Sequence, residues 1–577
     1  MKEIKQTIQL IWKQHKILFS ILIFINIVLG ILPLISIFFV QLIINFLSLS
    51  SHFSLILMCF AGYISVSLIT DSISSVQSYI NGIISNRLSF EVEYDILNVV
   101  SRMDITAFEN EETYSVIDKL SNEAPSKPFS VFTAFNSISV SIITIISSYF
   151  YIFKINPIYG ITLVLLTFIS IPFLLILSNN QFNVHWNRAE KERKAWYIKY
   201  LLTHDFSVKE IIFFDLSKHL KKKFANLKKE FISQDLKILK NLSIFNYVYD
   251  LIVSIVTAIL VLSVIWSIYL GKALLGTLTS VTQIISLTQG STQTFINNLF
   301  NLKYDLQILR KLYDFIDDNE KDDNGSYYNL PITTIEFKNV SYSYKNSVKA
   351  LDNISFKIKK GEIVAIVGAN GSGKSTIVKI LTGLYKPTRG QYLINNIDSN
   401  KLNKHSFHKG ISVLFQNFVQ YELSVRENIG FGDIRNLKQE DKIMNTLKTY
   451  NDNLYKKLKV EDSLGNWFGN GKQLSGGQWQ SIATSRAFFN RNASFVILDE
   501  PNSALDPISE SNLFYEFKKF ISHNKMGLFI SHRIGAVKNA DRIIVMSKGE
   551  IVAEGSHEYL LNNCTEYQKL EEAERYE

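Results

Sequence analysis

Nine residues, Gly368-Ala-Asn-Gly-Ser-Gly-Lys-Ser-Thr376, carry the most specific chemistry in the sequence. They follow an apolar run, Ile363–Val367, that reads as a buried strand, and precede Ile377–Leu381, which reads as the start of a helix. A glycine-rich turn in that position lets several backbone N–H groups converge on one point. The helix N-terminus adds free donors and its dipole, and together these make a cradle for phosphate. Gly368, Asn370, Gly371, Ser372 and Gly373 form the loop. Lys374 brings positive charge to β- and γ-phosphates, Ser375 offers Mg²⁺ a hydroxyl, and Thr376 ends the motif.

A second group lies far downstream. Ser494-Phe-Val-Ile-Leu-Asp499-Glu500 reads as a buried strand ending in two acids. Asp499 has the place of a carboxylate that holds Mg²⁺, and Glu500 is then set to polarise an attacking water. The two motifs are expected to end side by side on neighbouring strands of a parallel sheet. Between them, Leu474-Ser-Gly-Gly-Gln478 opens a helix over Trp479–Ala487. This second glycine-bearing helix start is an anion site in principle. One chain rarely needs two sites for the same phosphate, so this one is expected to serve a nucleotide held by another copy. Tyr344, just after a predicted strand, reads either as an adenine-stacking ring or as an ordinary edge-strand aromatic.

The elements that must position these groups differ in kind along the chain. With 577 residues, of which 47% are hydrophobic, it is too long for one domain. Apolar runs long enough to cross a bilayer fall at about 17–47, 54–85, 131–153, 157–178, 245–270 and 274–298. Residues 1–317 are thus expected to form an all-α, six-helix transmembrane domain, 318–333 a polar linker, and 334–577 an α/β nucleotide-binding domain with a helical subdomain. Residues 1–16 suggest a short amphipathic helix on the inner membrane surface. Pro33 predicts a kink in the first span. Fourteen Lys and Arg lie between Arg188 and Lys240 and none between 48 and 53, which puts the N-terminus and both long connections in the cytoplasm. The connections 86–130 and 179–244 read as helices continuing beyond the membrane, with turns near Ile105–Tyr114 and Thr203–Glu210. The net charge of +9 fits loops facing anionic lipid rather than nucleic acid. Two cysteines, Cys59 and Cys564, exclude a disulfide framework or cysteine metal cluster. Asp71 is the outstanding ionisable residue within the spans; it reads either as lining a water-filled cavity or as a paired structural acid.

In order and spacing, Gly368–Thr376, Gln416, Leu474–Gln478, Asp499-Glu500, Ser503-Ala-Leu-Asp506 and His532 resemble an ATP-binding cassette (ABC) transporter. With the preceding spans, the whole chain is similar to a half-size exporter that fuses membrane domain to ATPase. The resemblance implies ATP and Mg²⁺ as cofactors, with Ser375, Gln416 and Asp499 around the metal. It implies Tyr344 stacked on adenine, Glu500 as the catalytic acid–base group, Gln416 as the group that touches Mg²⁺ and senses the membrane domain, and His532 as the switch histidine. Ser475, Gly476, Gly477 and Gln478 would face the partner subunit's ATP, with Asp506 communicating across a homodimer. The stretches near Phe108 and Asp205 would be coupling helices.

Leu464-Gly-Asn-Trp-Phe468, Leu474–Gln480, Phe415–Glu422 and Lys209–Phe213 resemble exporters of lantibiotics and related bacteriocins. That implies export of a leader-bearing peptide across the cytoplasmic membrane. It also brings in a modification enzyme or a separate leader protease as further partners, since the spans begin near residue 17 with no peptidase domain before them. Ser481 departs from the basic residue of many cassettes, as Thr484-Ser485 do from small or apolar ones. Rival expectations are a lipid or small-drug exporter, a nucleotide-gated channel or regulatory subunit, and a soluble DNA-associated ATPase, which the six spans oppose.

Overall fold

The computed structural model describes residues 2–155, 157–319, 325–328, 331–344, 349–501, 507–521 and 525–576. The chain divides into two compact units, Met1–Lys321 and Asp322–Glu577.

The first unit is helical: α1 (Lys2–Ser48), α2 (Phe53–Val100), α3 (Ile105–Phe108), α4 (Glu111–Glu123), α5 (Lys127–Ile155), α6 (Pro157–Asn187), α7 (Ala189–Thr203), α8 (Asp205–Phe213), α9 (Ser217–Tyr269) and α10 (Leu275–Asn319). Among the described residues, four helical segments are long and apolar enough to cross a membrane: Lys16–Ser48, Phe53–Val100, Glu111–Phe153 and Ser217–Tyr269. The expected span 157–178 falls on α6, where the side chains of 157–160, 162–170 and 174 lie outside the described residues. The expected span 274–298 falls on α10. Its Thr, Ser and Gln residues keep its hydropathy below that of the four, because part of its surface lines a polar cavity. The separate surface helix expected over 1–16 is instead continuous with the first span in α1. No glycine or proline stands between Lys2 and Phe19 to interrupt it.

Among the described residues, three apolar clusters hold this unit together. Phe19, Leu22, Ile80, Ile84, Leu88 and Phe132 join α1, α2 and α5. Ile37, Ile152, Leu260, Val264 and Ile284 join α1, α5, α9 and α10. Nearer the C-terminal ends of α2 and α10, Val92, Ile96, Leu120, Val131, Leu309 and Leu312 continue the packing among α2, α4, α5 and α10. These ends are therefore packed structure rather than solvated hairpins. Charge is neutralised locally there. Arg188 bonds Glu192 at 2.6 Å and Asp235 at 2.7 Å, tying α6 and α7 to α9. Lys127 pairs with Asp305 at 2.9 Å, tying α5 to α10. Lys119 is buried, its ammonium on the His185 carbonyl with Glu123 and Glu192 each 3.8 Å away.

The second unit holds two sheets. One is antiparallel, in the order β2 (Lys349–Lys359), β1 (Thr334–Ser343), β4 (Arg389–Ile394), β5 (Ile397–Asp398). The other runs β10 (Glu550–Gly555), β9 (Arg542–Ser547), β3 (Ile363–Gly368), β8 (Met526–Ile530), β7 (Phe495–Asp499), β6 (Ile411–Leu414). It is parallel from β9 to β6, with β10 antiparallel at one edge. Every residue of β3, β7 and β8 is buried. That is what an apolar run covered on both faces dictates. Each fully buried Ile, Val or Leu there contributes roughly 1.5–3 kcal/mol of transfer free energy.

Candidate functional site

Strands β3, β8 and β7 all end at one edge of the sheet, and each hands a functional group to it. The expectation that the phosphate loop and the paired acids sit on neighbouring strands is corrected by β8, which lies between β3 and β7. The insertion has a use. The chain leaving β8 carries Ser531-His532, so His532 arrives beside the acids that leave β7.

The loop after β3 is shaped by glycines that a side chain would spoil. Gly373 has φ +101, and a Cβ there would stand 2.6 Å from the Ala350 carbonyl and 2.7 Å from Leu351 Cδ2. Helix α11 (Lys374–Leu381) begins immediately after it. Lys374 is 6% exposed, and its Nζ donates to the carbonyls of Gly368 (2.8 Å) and Ala369 (2.9 Å). Burial pushes its pKa down, and Glu500 and Asp499 only partly oppose this. Ser375 is exposed at the helix start, and Thr376 is buried.

Asp499 is buried at the end of β7, and its Oδ1 has no hydrogen-bond partner. Burial, reinforced by the neighbouring Glu500 carboxylate, pushes its pKa up to about 6. Ser372 Oγ, also buried, is likewise unpartnered. Orphan polar atoms of this kind are costly unless something completes them. A buried lysine held only by carbonyls, a hydroxyl without a partner and a carboxylate oxygen without a donor are the groups that phosphate and a hard cation satisfy. The residues present therefore fit a nucleotide and a hard cation.

Glu500 is half-buried and has φ +48, a left-handed conformation that costs a non-glycine residue roughly 1 kcal/mol or more. Its N–H donates to the Ile530 carbonyl at 3.1 Å, which fixes it against β8. Gln416 Nε2 donates to one carboxylate oxygen at 2.5 Å, and His532 Nε2 meets the other. The structure thus brings Gln416, Glu500 and His532 together from three chain segments. The Glu500 carboxylate is thus held at both oxygens.

The second glycine-bearing helix start is built differently. Ser475 caps the helix Gly476–Phe489 in a capping box with Gln478: Gln478 N–H donates to Ser475 Oγ at 3.4 Å, and Ser475 N–H donates to Gln478 Oε1 at 2.9 Å. Ser475 and Gly476 are exposed, and a Cβ on Gly476 would meet nothing within 4 Å. Within its own chain this helix start has open space before it. Behind it, Ser481 does not reach out as a basic residue would. It is buried, bonded to the Gly477 carbonyl at 3.0 Å and to Asn451 Nδ2 at 3.0 Å.

Tyr344 is half-buried, its hydroxyl 3.2 Å from Thr376 Oγ1 and its ring edge-on to Tyr342 and Tyr385. Asp506 lies outside the described residues, as does the rest of 502–506. Glu422 was not singled out by sequence as a functional residue. Its Oε2 accepts from the N–H groups of Asn466 (2.6 Å) and Trp467 (2.7 Å) and so holds the Leu464–Phe468 turn. Gly465, at φ +89 and packed against this carboxylate, is the local signal that a tight acceptor stands there. Arg486 was missed too. It donates to the Asn428 carbonyl at 2.7 Å and to the Val419 carbonyl at 3.2 Å, joining the Gly476–Phe489 helix to the segment after Gln416.

In the membrane unit, Asp71 is exposed on α2 and is not among the residues lining the unit's polar cavity. Gln77 and Asn81 of α2 line it instead. At about 100° per residue they stand roughly 120° and 80° round the helix from Asp71. Asn45 accepts from the Gly276 N–H at 2.9 Å, a close α1–α10 contact.

The ABC transporter family model matches residues 351–503. The chain is 39% identical to the subtilin transport ATP-binding protein SpaT of Bacillus subtilis over all of this chain and 95% of that one. It is 38% identical to the nisin transport ATP-binding protein NisT of Lactococcus lactis subsp. lactis over 99% and 96% of the two chains. A solved bacterial Atm1-family ABC exporter with ATP bound superposes with a TM-score of 0.78 at 18% identity, over 97% of this chain and 99% of that one, a likeness of fold. With relatives this similar along its full length, the chain belongs to the ABC transporters, as a multi-pass membrane protein with a cytoplasmic, ATP-binding domain whose ATPase activity is coupled to transport.

Proposed function

We propose that the protein exports a lantibiotic-type, leader-bearing peptide across the cytoplasmic membrane as a homodimer driven by ATP. The observation that carries the cargo is the full-length similarity to proteins named for subtilin and nisin transport. The homodimer is supported by the second helix start, which is capped, exposed and open in its own chain. It is supported also by α9, where Phe231, Val253, Leu260 and Val264 are the buried residues of a 53-residue helix.

In this reading two ATP molecules bridge two copies. Lys374 and the loop Gly368–Gly373 hold the phosphates of one, with Tyr344 at its base. Ser475, Gly476, Gly477 and Gln478 of the other copy, with Asp506, close over its γ-phosphate. Mg²⁺, when bound by Ser375, Gln416 and Asp499, supplies charge neutralisation at the transferred phosphoryl oxygens. Glu500 takes a proton from the attacking water, oriented by Gln416 and His532. Helices α3 and α8 are the coupling helices; α8 and its end present exposed Phe206, Ile212, Phe213 and Phe214. ATP favours one membrane conformation by binding the closed pair more tightly, and hydrolysis releases it. A modification enzyme and a separate leader protease complete the pathway on either side of export.

The test is ATPase activity of the reconstituted protein with the precursor peptides of subtilin and nisin, with lipids and with hydrophobic dyes. Saturable stimulation by a precursor peptide alone supports peptide export. Stimulation by lipids or dyes alone replaces it with a lipid or drug exporter. Nucleotide-dependent single-channel current would make the protein a gated channel.

A further inference from the structure

We propose that the polar cavity among α1, α2, α5 and α10 binds uncharged peptide backbone, and that it is where an extended segment of the cargo is read independently of its side chains. The inference deepens the peptide-export reading and rests on it. The cavity has a volume of about 580 Å³, in the range that holds a small ligand or a short chain segment. Gln77 and Asn81 of α2, Asn136 and Ser141 of α5, and Ser291 and Thr294 of α10 supply its polar wall, and among the described residues none that lines it is charged. Asn26, on α1, lies about ten residues from Lys16, or roughly 15 Å along the helix, so the neighbouring cavity is at membrane depth.

The amides there are coupled but incomplete. Gln77 Nε2 donates to Asn26 Oδ1 at 2.7 Å, and Asn26 Nδ2 donates to Asn136 Oδ1 at 3.0 Å. Asn136 is 6% exposed, and its Nδ2 has no partner; Asn81 Oδ1 has none either. Read with every amide reversed, the relay leaves Asn136 Oδ1 and Gln77 Nε2 spare instead. In both directions the wall keeps an unused donor and an unused acceptor. A peptide group offers one of each. A lipid chain offers neither, and a charged ligand would find no counter-charge in a medium where charges are expensive to bury.

Thiol labelling inside the cavity tests this. Gly290 lines it, and a Cβ added there meets nothing within 4 Å beyond its own helix backbone, so Gly290→Cys has room. The background carries Cys59→Ala and Cys564→Ala, and retained basal ATPase reports folding. A blocked alanine–serine octapeptide amide is expected to slow maleimide labelling about tenfold at saturation, equivalent to occupancy of the cavity, whereas its backbone N-methylated form leaves the rate within about twofold. Asn81→Leu should remove the protection while basal ATPase persists. Equal protection by both peptides, or protection by neither, overturns the proposal. Protection without stimulation of ATPase by precursor peptides would instead count against the export reading and leave the site standing.

Discussion

Two helix starts in the ATPase unit, one capped by Gly373 and one by Ser475, show opposite treatment of the same backbone device. At Gly373 the helix start is enclosed: a methyl group would strike Ala350, and Lys374 is buried against its own loop. At Ser475-Gly476 the start is capped by its own side chains and faces open space. Both expose converging N–H groups. The enclosed one is walled by its own chain. The open one is capped by its own side chains and leaves room around Gly476. The difference teaches that a cradle and a closure can share a sequence grammar, and that surroundings rather than motif decide which is which.

The largest test of the enclosed site removes its charge or its base. Lys374→Ala should abolish ATP binding, seen by fluorescent-nucleotide titration. Glu500→Gln should cut turnover by about 10²-fold or more while nucleotide binding persists. Wild-type turnover in the glutamine variant would remove Glu500 from the reaction. The next test sets the two glycines against each other. Gly373→Ala should destabilise the unit by roughly 1–3 kcal/mol, through a strained φ and a backbone clash, and weaken ATP binding. Gly476→Leu should leave thermal stability and ATP binding unchanged yet lower turnover at least about tenfold, the open start no longer reaching the partner's nucleotide. Equal behaviour of the two variants would break the comparison.

A smaller effect isolates the cap. Ser475→Ala should cost about 1 kcal/mol of stability in a denaturant melt, and Ser475→Asn should restore it. If Asn restores stability without restoring turnover, the hydroxyl serves ligand as well as helix. The smallest change is Glu422→Gln. It keeps one acceptor for the Asn466 and Trp467 N–H groups and should lower turnover only about two- to threefold, with the melt shifted by less than about 1 kcal/mol. Glu422→Ala should loosen the turn before the second helix start further, measurable as faster amide exchange over 464–468.

Much of the nucleotide edge was legible because its groups are contiguous in sequence. A strand of four buried apolar residues that ends in Asp499-Glu500 announces its own geometry. The order of strands is not written that way. Placing β8 between β3 and β7 depends on which crossovers bury the most surface, and only then does His532 find Glu500. The membrane unit was legible as long helices but not as a cavity. Asp71 stands out among the spans because it is charged. Asn26, Asn81 and Asn136 are neutral and scattered over three helices, and nothing in the sequence says that they meet. Their meeting depends on helix phase, which a one-residue shift would rotate by about 100°. The Glu422 clamp was unreadable for a related reason: its donors are backbone groups, which have no letter in the sequence.

Helix α9 runs 53 residues from Ser217 to Tyr269 without a glycine or proline. At 1.5 Å per residue it is a rod of about 80 Å, far longer than the roughly 30 Å that a hydrocarbon core requires. Sharp kinks arise at proline, at glycine pairs or at interrupted ladders, and its sequence supplies neither of the first two. Such a rod behaves as a lever: tilting it by about 5° about one end displaces the other by roughly 7 Å. A small repacking near the α8 end therefore arrives at the far end of the span as a movement the width of a side chain. The gain is set by the length of uninterrupted helix rather than by any single contact.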